Sequence, residues 1–290
     1  MRQFIALLVT LALTACSAAE PARARPAMWK LTDPDTTIYL FGTVHVLPGG
    51  TNWRTPRFEG AVRDSQELIL EIADQHDKAK VAEVYKRLAY SPDLPPILER
   101  VPAKKRPQLQ AMIEKSKLPL AQLNMMETWA VAITLGASMY GEMGASVDDG
   151  VERQLTKSFT SSKKPINALE TTEQQLGYFD TMPEATQRKL LVSILDDVKN
   201  AAADFKKMVG AWSSGNTRAI ARTFDDELKS SPEIASVLID QRNAAWVEHL
   251  KARLDQPGTV MVAVGAGHLA GDGSVVDLLK KQGIRVERVQ

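Results

Sequence analysis

Residues 258–273 read Gly-Thr-Val-Met-Val-Ala-Val-Gly-Ala-Gly-His-Leu-Ala-Gly-Asp-Gly. The apolar run Val260–Val264, bounded by Gly258 and Gly265, offers no polar face to water. It reads as a strand covered on both sides, the position a strand takes inside a parallel sheet. Gly265-Ala266-Gly267 then permits a tight turn at the strand's carboxyl end and delivers His268, at the edge where open α/β sheets bind ligands. Near the other end of the chain, Thr37–Phe41 runs into Gly42-Thr43-Val44-His45. Two strand-Gly-x-x-His units predict one site assembled from both ends of the sequence.

The intervening sequence fits an α/β fold. Met28-Trp29-Lys30 and Thr37–Phe41, joined through Asp33-Pro34-Asp35, predict a hairpin. Pro56–Ser65 predicts a helix and Glu67–Ile72 a second buried strand, so strand, helix and strand form a βαβ unit. Lys164–Glu170 predicts a third strand that ends in a carboxylate. Ser274–Gln282 predicts a helix and Ile284–Val289 a last strand, closing a second such unit. Between them, helical blocks are expected at about 74–157 and 183–254, the second including one helix over Ile234–Leu254 opened by Ser231-Pro232. Gly141–Gly150 is read as a loop leading to a helix over Val147–Lys157. The expected architecture is a central mixed, largely parallel β-sheet made of two related βαβ halves, with large helical insertions flanking and capping the cleft.

The N-terminus carries a different message. Met1-Arg2-Gln3 precedes an apolar segment, Phe4–Leu13, of signal-peptide length and too short to span a bilayer stably. Leu13-Thr14-Ala15-Cys16 resembles a bacterial lipobox, with Cys16 as the acylated residue. Cys16 is also the one cysteine in the chain, so no internal disulfide is available to an exported product. The expected organisation is a signal peptide over 1–15, a lipidated tether over 16–27 and a single domain over 28–290. Ser17 behind the cysteine predicts sorting to the outer membrane, facing the periplasm. A net charge of +1, from 36 basic and 35 acidic residues, supplies no global field that would argue for a nucleic-acid partner or an acidic membrane surface.

Four histidines are present, and His76 and His249 lack the strand-turn setting that His45 and His268 share. Glu71 and Glu170 sit at the carboxyl ends of predicted strands, whereas Glu67, on the same face as Glu71 but at the other end of its strand, is expected at the surface. Two imidazoles and a carboxylate suit a divalent transition metal that leaves positions open for water, with a second glutamate free to move a proton. The leading ligand set is His45, His268 and Glu71, with the choice between Glu71 and Glu170 as ligand and as base left open by the sequence, and the ion is Mn, Co or Zn. Gly-x-Ser-x-Gly and Walker signatures are missing from the sequence.

The segments Trp29-Lys30, Tyr39-Leu40-Phe41-Gly42-Thr43-Val44-His45, Leu169-Glu170-Thr171-x-x-Gln174, Arg242-Asn243-x-x-Trp246 and Val262–Gly273 resemble the TraB/GumN family, which includes the animal TIKI proteases. The resemblance covers about 28–290. It implies catalytic or ligand roles for His45 and His268 with Glu71 and Glu170 as partners. It also implies substrate contacts from Arg242, Asn243 and the turn residues Gly42, Thr43, Gly265 and Gly267. The function expected on this basis is an envelope-anchored, metal-dependent, peptidase-like hydrolase that cleaves a peptide or related amide. The alternative is a non-catalytic lipoprotein that captures haem or another ligand.

Overall fold

The computed structural model describes residues 23–74, 77–229 and 231–290. The predicted signal peptide, Cys16 and His76 lie outside them. In chain order the elements begin with β1 (Met28–Thr32), β2 (Thr36–Thr43), β3 (Leu47–Pro48), α1 (Pro56–Asp64) and β4 (Glu67–Ile72). A helical block follows, with α2 (Lys78–Leu88), α3 (Arg106–Ser116), α4 (Leu120–Asn124) and α5 (Thr128–Glu142). The chain returns through β5 (Ala145–Ser146), α6 (Val151–Ser161) and β6 (Ile166–Glu170). The second block holds α7 (Thr172–Asp180), α8 (Glu184–Asp197), α9 (Ala201–Ser213), α10 (Thr217–Lys229), α11 (Pro232–Ala235) and α12 (Gln241–Leu254). Last come β7 (Gly258–Gly265), α13 (Val275–Lys281) and β8 (Val286–Arg288).

Six strands form one mixed, mostly parallel sheet in the order β6-β4-β7-β2-β1-β8, while β3 and β5 make a separate two-stranded ribbon. The two βαβ units do not stand side by side. β7, from the end of the chain, inserts between β2 and β4 and pairs in parallel with both. Thus the sheet cannot close until the last 33 residues, which begin with Gly258, arrive, a topology of high sequence separation.

The central position of β7 explains its composition. Because side chains alternate across a strand, Met261 and Ala263 enter the core with Phe41, Trp53, Phe58 and Trp212. Val260, Val262 and Val264 enter the opposite core with Ile38, Leu40, Trp246 and Leu250. Both faces are covered, by α1 and α6 on the first side and by α12 and α13 on the second. A third core, built around Trp129 and Leu135, belongs to the helical blocks alone. Arg100 fastens that lobe: the residue is 1% exposed, and its guanidinium donates to the carbonyls of Pro95, Asn124 and Met126 at 2.6–2.7 Å.

Several boundaries differ from expectation. The predicted tether ends earlier than residue 27, because Ala24 and Ala27 are buried and Ala24 N–H donates to the Asn52 carbonyl at 2.9 Å. The long helix expected before β7 is divided: α11 passes into a π-helical turn at Ser236–Asp240 before α12 begins. Ser231 offers no side-chain cap to α11. α6 starts at Val151, four residues later than expected, since Val147–Asp149 forms a 3-10 turn ending at Gly150. Gly150 is required there: a Cβ at this position would collide with the carbonyl oxygen of His45.

Candidate active site

The carboxyl ends of β2, β4, β6 and β7 converge on one cluster with Arg242 at its centre. Arg242 Nε donates to Glu170 Oε1 at 2.8 Å and to Oε2 at 3.2 Å. Its Nη2 bridges the two carboxylates, reaching Glu71 Oε2 at 2.8 Å and Glu170 Oε2 at 2.9 Å. Nη1 lies 3.1 Å from His268 Nε2 and donates to the Leu238 carbonyl at 3.2 Å. All five guanidinium N–H groups are thereby engaged. The three charged side chains are each less than a tenth exposed. Burial on this scale is tolerable only because each charge faces its opposite.

His268 is equally committed. Its Nδ1 lies 2.7 Å from Asn243 Oδ1, and Asn243 Nδ2 donates to the Gly273 carbonyl at 2.9 Å. Since Arg242 can only donate, Nε2 is the acceptor and Nδ1 carries the proton, which makes the imidazole neutral. Burial lowers its pKa to about 4, and the nearby Arg242 guanidinium pushes the same way against the attraction of Glu71. Trp246 closes the floor: its ring centroid is 4.5 Å from that of His268 and 4.7 Å from the Arg242 guanidinium carbon, and its Nε1 donates to Glu170 at 2.9 Å.

Glu71 accepts the Gly265 backbone N–H at 2.7 Å on Oε1 and Gln175 Nε2 at 3.1 Å on Oε2. Burial alone would raise its pKa, but the imidazoles of His268 and His45, Arg242 and the Gly265 N–H outweigh it and hold the carboxyl well below the usual range. With His268 neutral, the permanent cation in that set is Arg242.

His45 occupies a contrasting position. Its side chain is 71% exposed, and its Nδ1 lies 2.7 Å from Glu152 Oε1. Glu152 is buried and also accepts from Thr43 Oγ1 at 2.5 Å. The carboxylate raises the His45 pKa above its ordinary value, against the opposing effect of desolvation. Exposure to solvent screens and limits that rise. Glu71 and Arg242 also act on this titration, so the imidazole lies within the field of the buried cluster. The hydrogen bond to Glu152 fixes Nδ1 as the protonated nitrogen and leaves Nε2 without a partner among the described residues.

The predicted residues therefore separate by role. His45, His268, Glu71 and Glu170 are brought to one edge as expected. Arg242 and Asn243, expected to contact substrate, instead use their polar groups internally; Asn243 is 0% exposed. Thr43 is buried under Glu152 rather than open to a ligand. Gly42 is a packing residue, since a Cβ there would come 3.1 Å from Ala266 Cα and force the two Gly-x-x-His turns apart. Gly265 serves through its N–H to Glu71, and Gly267 stays half-buried in the turn that carries His268.

Glu152 and Gln175 were not among the residues expected. Glu152 was detectable, because it falls on the apolar face of α6 with Val151, Leu155 and Phe159, where a carboxylate needs a partner. Gln175 carries no comparable signal in its local sequence.

A model of the TraB/PrgY/gumN family matches residues 27–288. The chain belongs to this family. An uncharacterised protein, YbaP, of Escherichia coli (strain K12) is 25% identical over 254 residues, covering 84% of this chain and 88% of YbaP. An uncharacterised protein of Treponema pallidum (strain Nichols) is 20% identical and covers 96% of this chain and 90% of its own. No solved structure matches. The family match spans every element that contributes to the site.

Proposed function

We propose that this TraB-family chain is a lipid-anchored hydrolase of the bacterial envelope that cleaves an amide or ester, with a peptide as the leading substrate class. The reading is carried by the His45–Glu152 pair: an exposed imidazole with one nitrogen fixed on a buried carboxylate and the other free. In this arrangement His45 Nε2 takes a proton from a water whose oxygen attacks the substrate carbonyl. The resulting imidazolium returns the proton to the departing amine or alkoxide as the carbonyl carbon–heteroatom bond breaks. Glu152 holds the tautomer and stabilises the imidazolium, while the Arg242 cluster supports the surrounding strand ends.

A Mn, Co or Zn ion held by His45, His268 and Glu71 does not fit the donors as they stand. His268 Nε2 already accepts from Arg242, its Nδ1 is held by Asn243, and both Glu71 oxygens receive N–H donors. Among the described residues no group of three or more His, Cys, Asp or Glu side chains is arranged to hold a metal ion. No step is therefore assigned to a metal.

The test is a set of fluorogenic peptides and chromogenic esters assayed on purified protein, alongside metal analysis and a haem titration. The expected result is turnover that depends on His45 and survives chelation, with metal well below one equivalent. Stoichiometric metal that is lost in His268→Ala would restore the metal-dependent reading. A Soret shift without turnover would favour the haem-binding alternative.

A further inference from the structure

The packed body begins on the same edge of the sheet that carries the site. β1 runs antiparallel to β2 and pairs Met28 with Phe41, so residues ahead of Met28 emerge beside the carboxyl end of β2. Arg25 N–H donates to the Ser213 carbonyl at 2.6 Å. Ala24 lies in the same core as Val44, the neighbour of His45. In the order β4-β7-β2-β1, three strand spacings separate β1 from the end of β4, a distance of about 14 Å.

Arginines crowd this rim. Arg23, Arg25, Arg57 and Arg288 are exposed and Arg54 is half-buried. Arg23 donates to the Arg54 carbonyl, Arg57 to the Val289 carbonyl, and Arg288 to the Gly215 carbonyl at 2.6 Å. For Arg23 and Arg57 those partners are main-chain carbonyls and leave the positive charge uncompensated, whereas Arg288 also donates through Nε to the carboxyl-terminal oxygen of Gln290 at 2.7 Å. Among the described side chains, Glu59, bonded to Arg54, is the carboxylate within the group, and Asp149 lies further along the edge beside Gly49. The amino edge of the sheet is mixed instead, with Asp33, Asp35, Asp64 and Asp255 interspersed among Lys280, Lys281 and Arg285.

We propose that this arginine rim rests on an anionic bilayer, so that the edge carrying His45 faces the membrane and receives substrate from its surface. The proposal rests on the reading of Cys16 as the lipid anchor. Six residues lie between Cys16 and Arg23, and the seven Cα-to-Cα steps across them reach at most about 25 Å. An anchor that short holds the rim within range of the surface, and clustered arginines are drawn to anionic headgroups across a distance comparable with the Debye length.

The test uses the full chain, exported by a bacterial host and reconstituted into phosphatidylcholine vesicles with and without phosphatidylglycerol. Single fluorophores are placed through Asn52→Cys on the rim and Gln282→Cys on the amino edge, and quenched with lipids bearing a headgroup nitroxide. Quenching at residue 52 is expected to exceed that at residue 282 several-fold in anionic vesicles. The difference should shrink at high salt and in the triple variant Arg23→Glu, Arg25→Glu, Arg57→Glu. Equal quenching, or stronger quenching at residue 282, overturns the proposal. Intact mass reports acylation of Cys16 separately. Should Cys16 prove unmodified, the anchor reading falls, and sedimentation with the same vesicles at low salt decides the rim alone. Binding that drops about tenfold in the triple variant sustains it, and no binding overturns it.

Discussion

His45 and His268 follow the same strand-Gly-x-x-His plan, yet the first side chain is 71% exposed and the second residue only 6%. One imidazole has a free nitrogen; the other has both committed, to Asn243 and Arg242. Their titrations move in opposite directions, His45 up under Glu152 and His268 down under burial. The difference teaches that a repeated motif fixes where the backbone turns, while the surrounding charges decide what each imidazole does. His45 is the imidazole of the pair that presents a ring nitrogen to solvent. His268 is a positioning residue that keeps Arg242 and Asn243 in place.

The strongest way to break this contrast is to remove each ring in turn. His45→Ala should lower kcat by about 10²–10⁴, the usual worth of a general base, with little change in the urea midpoint. His268→Ala should be recognised first by lost stability, read in the same urea titration. Reversed results would exchange the two roles. Next in size, Arg242→Met leaves Glu71 and Glu170 buried without their cation and should cost about 3–5 kcal/mol. Adding Glu170→Gln should recover part of that loss, which a purely steric role for Arg242 would not allow.

A smaller effect is expected from pH. His268 titrates near 4 when folded, against an ordinary value of 6.5, so below pH 6.5 the unfolded chain binds the proton that the folded one refuses. Stability should fall by about 3 kcal/mol between pH 6.5 and pH 4 through this group and then level off. Glu71, whose pKa is lowered by folding, adds a further loss below the ordinary carboxylate range. Denaturant titrations across pH should show the first limb flattened in His268→Gln. The smallest expected change is Glu152→Gln, which should return the His45 pKa toward 6.5 in an NMR titration. It should also move the alkaline-rising limb of the rate profile to lower pH. An unchanged His45 titration would remove Glu152 from the pair.

The fold was readable in the sequence wherever burial is two-sided or periodic. Val260–Val264 has to be a covered strand because both faces are apolar, and β7 sits at the centre of the sheet for that reason. What composition does not encode is strand order, so the insertion of β7 between β2 and β4 was invisible. The convergence of His45, Glu71, Glu170 and His268 followed from their common place after strands. The roles of Arg242 and Asn243 did not, because whether a polar side chain faces a ligand or a neighbour depends on partners far away in sequence. Glu170 is 72 residues from Arg242, and Glu71 is 171.

The π-helical turn at Ser236–Asp240 has a mechanical meaning. It holds one residue more than α-helical pitch requires, and one residue corresponds to about 100° of rotation. Rewinding that turn would twist α11 about the axis of α12 without breaking the helix between them. The Leu238 carbonyl inside the turn receives one of the five donors of Arg242. The slack therefore sits on a residue that holds the guanidinium: a change in the pitch of this turn would shift the acceptor of one Nη1 hydrogen while the bonds to Glu71 and Glu170 stay on other elements.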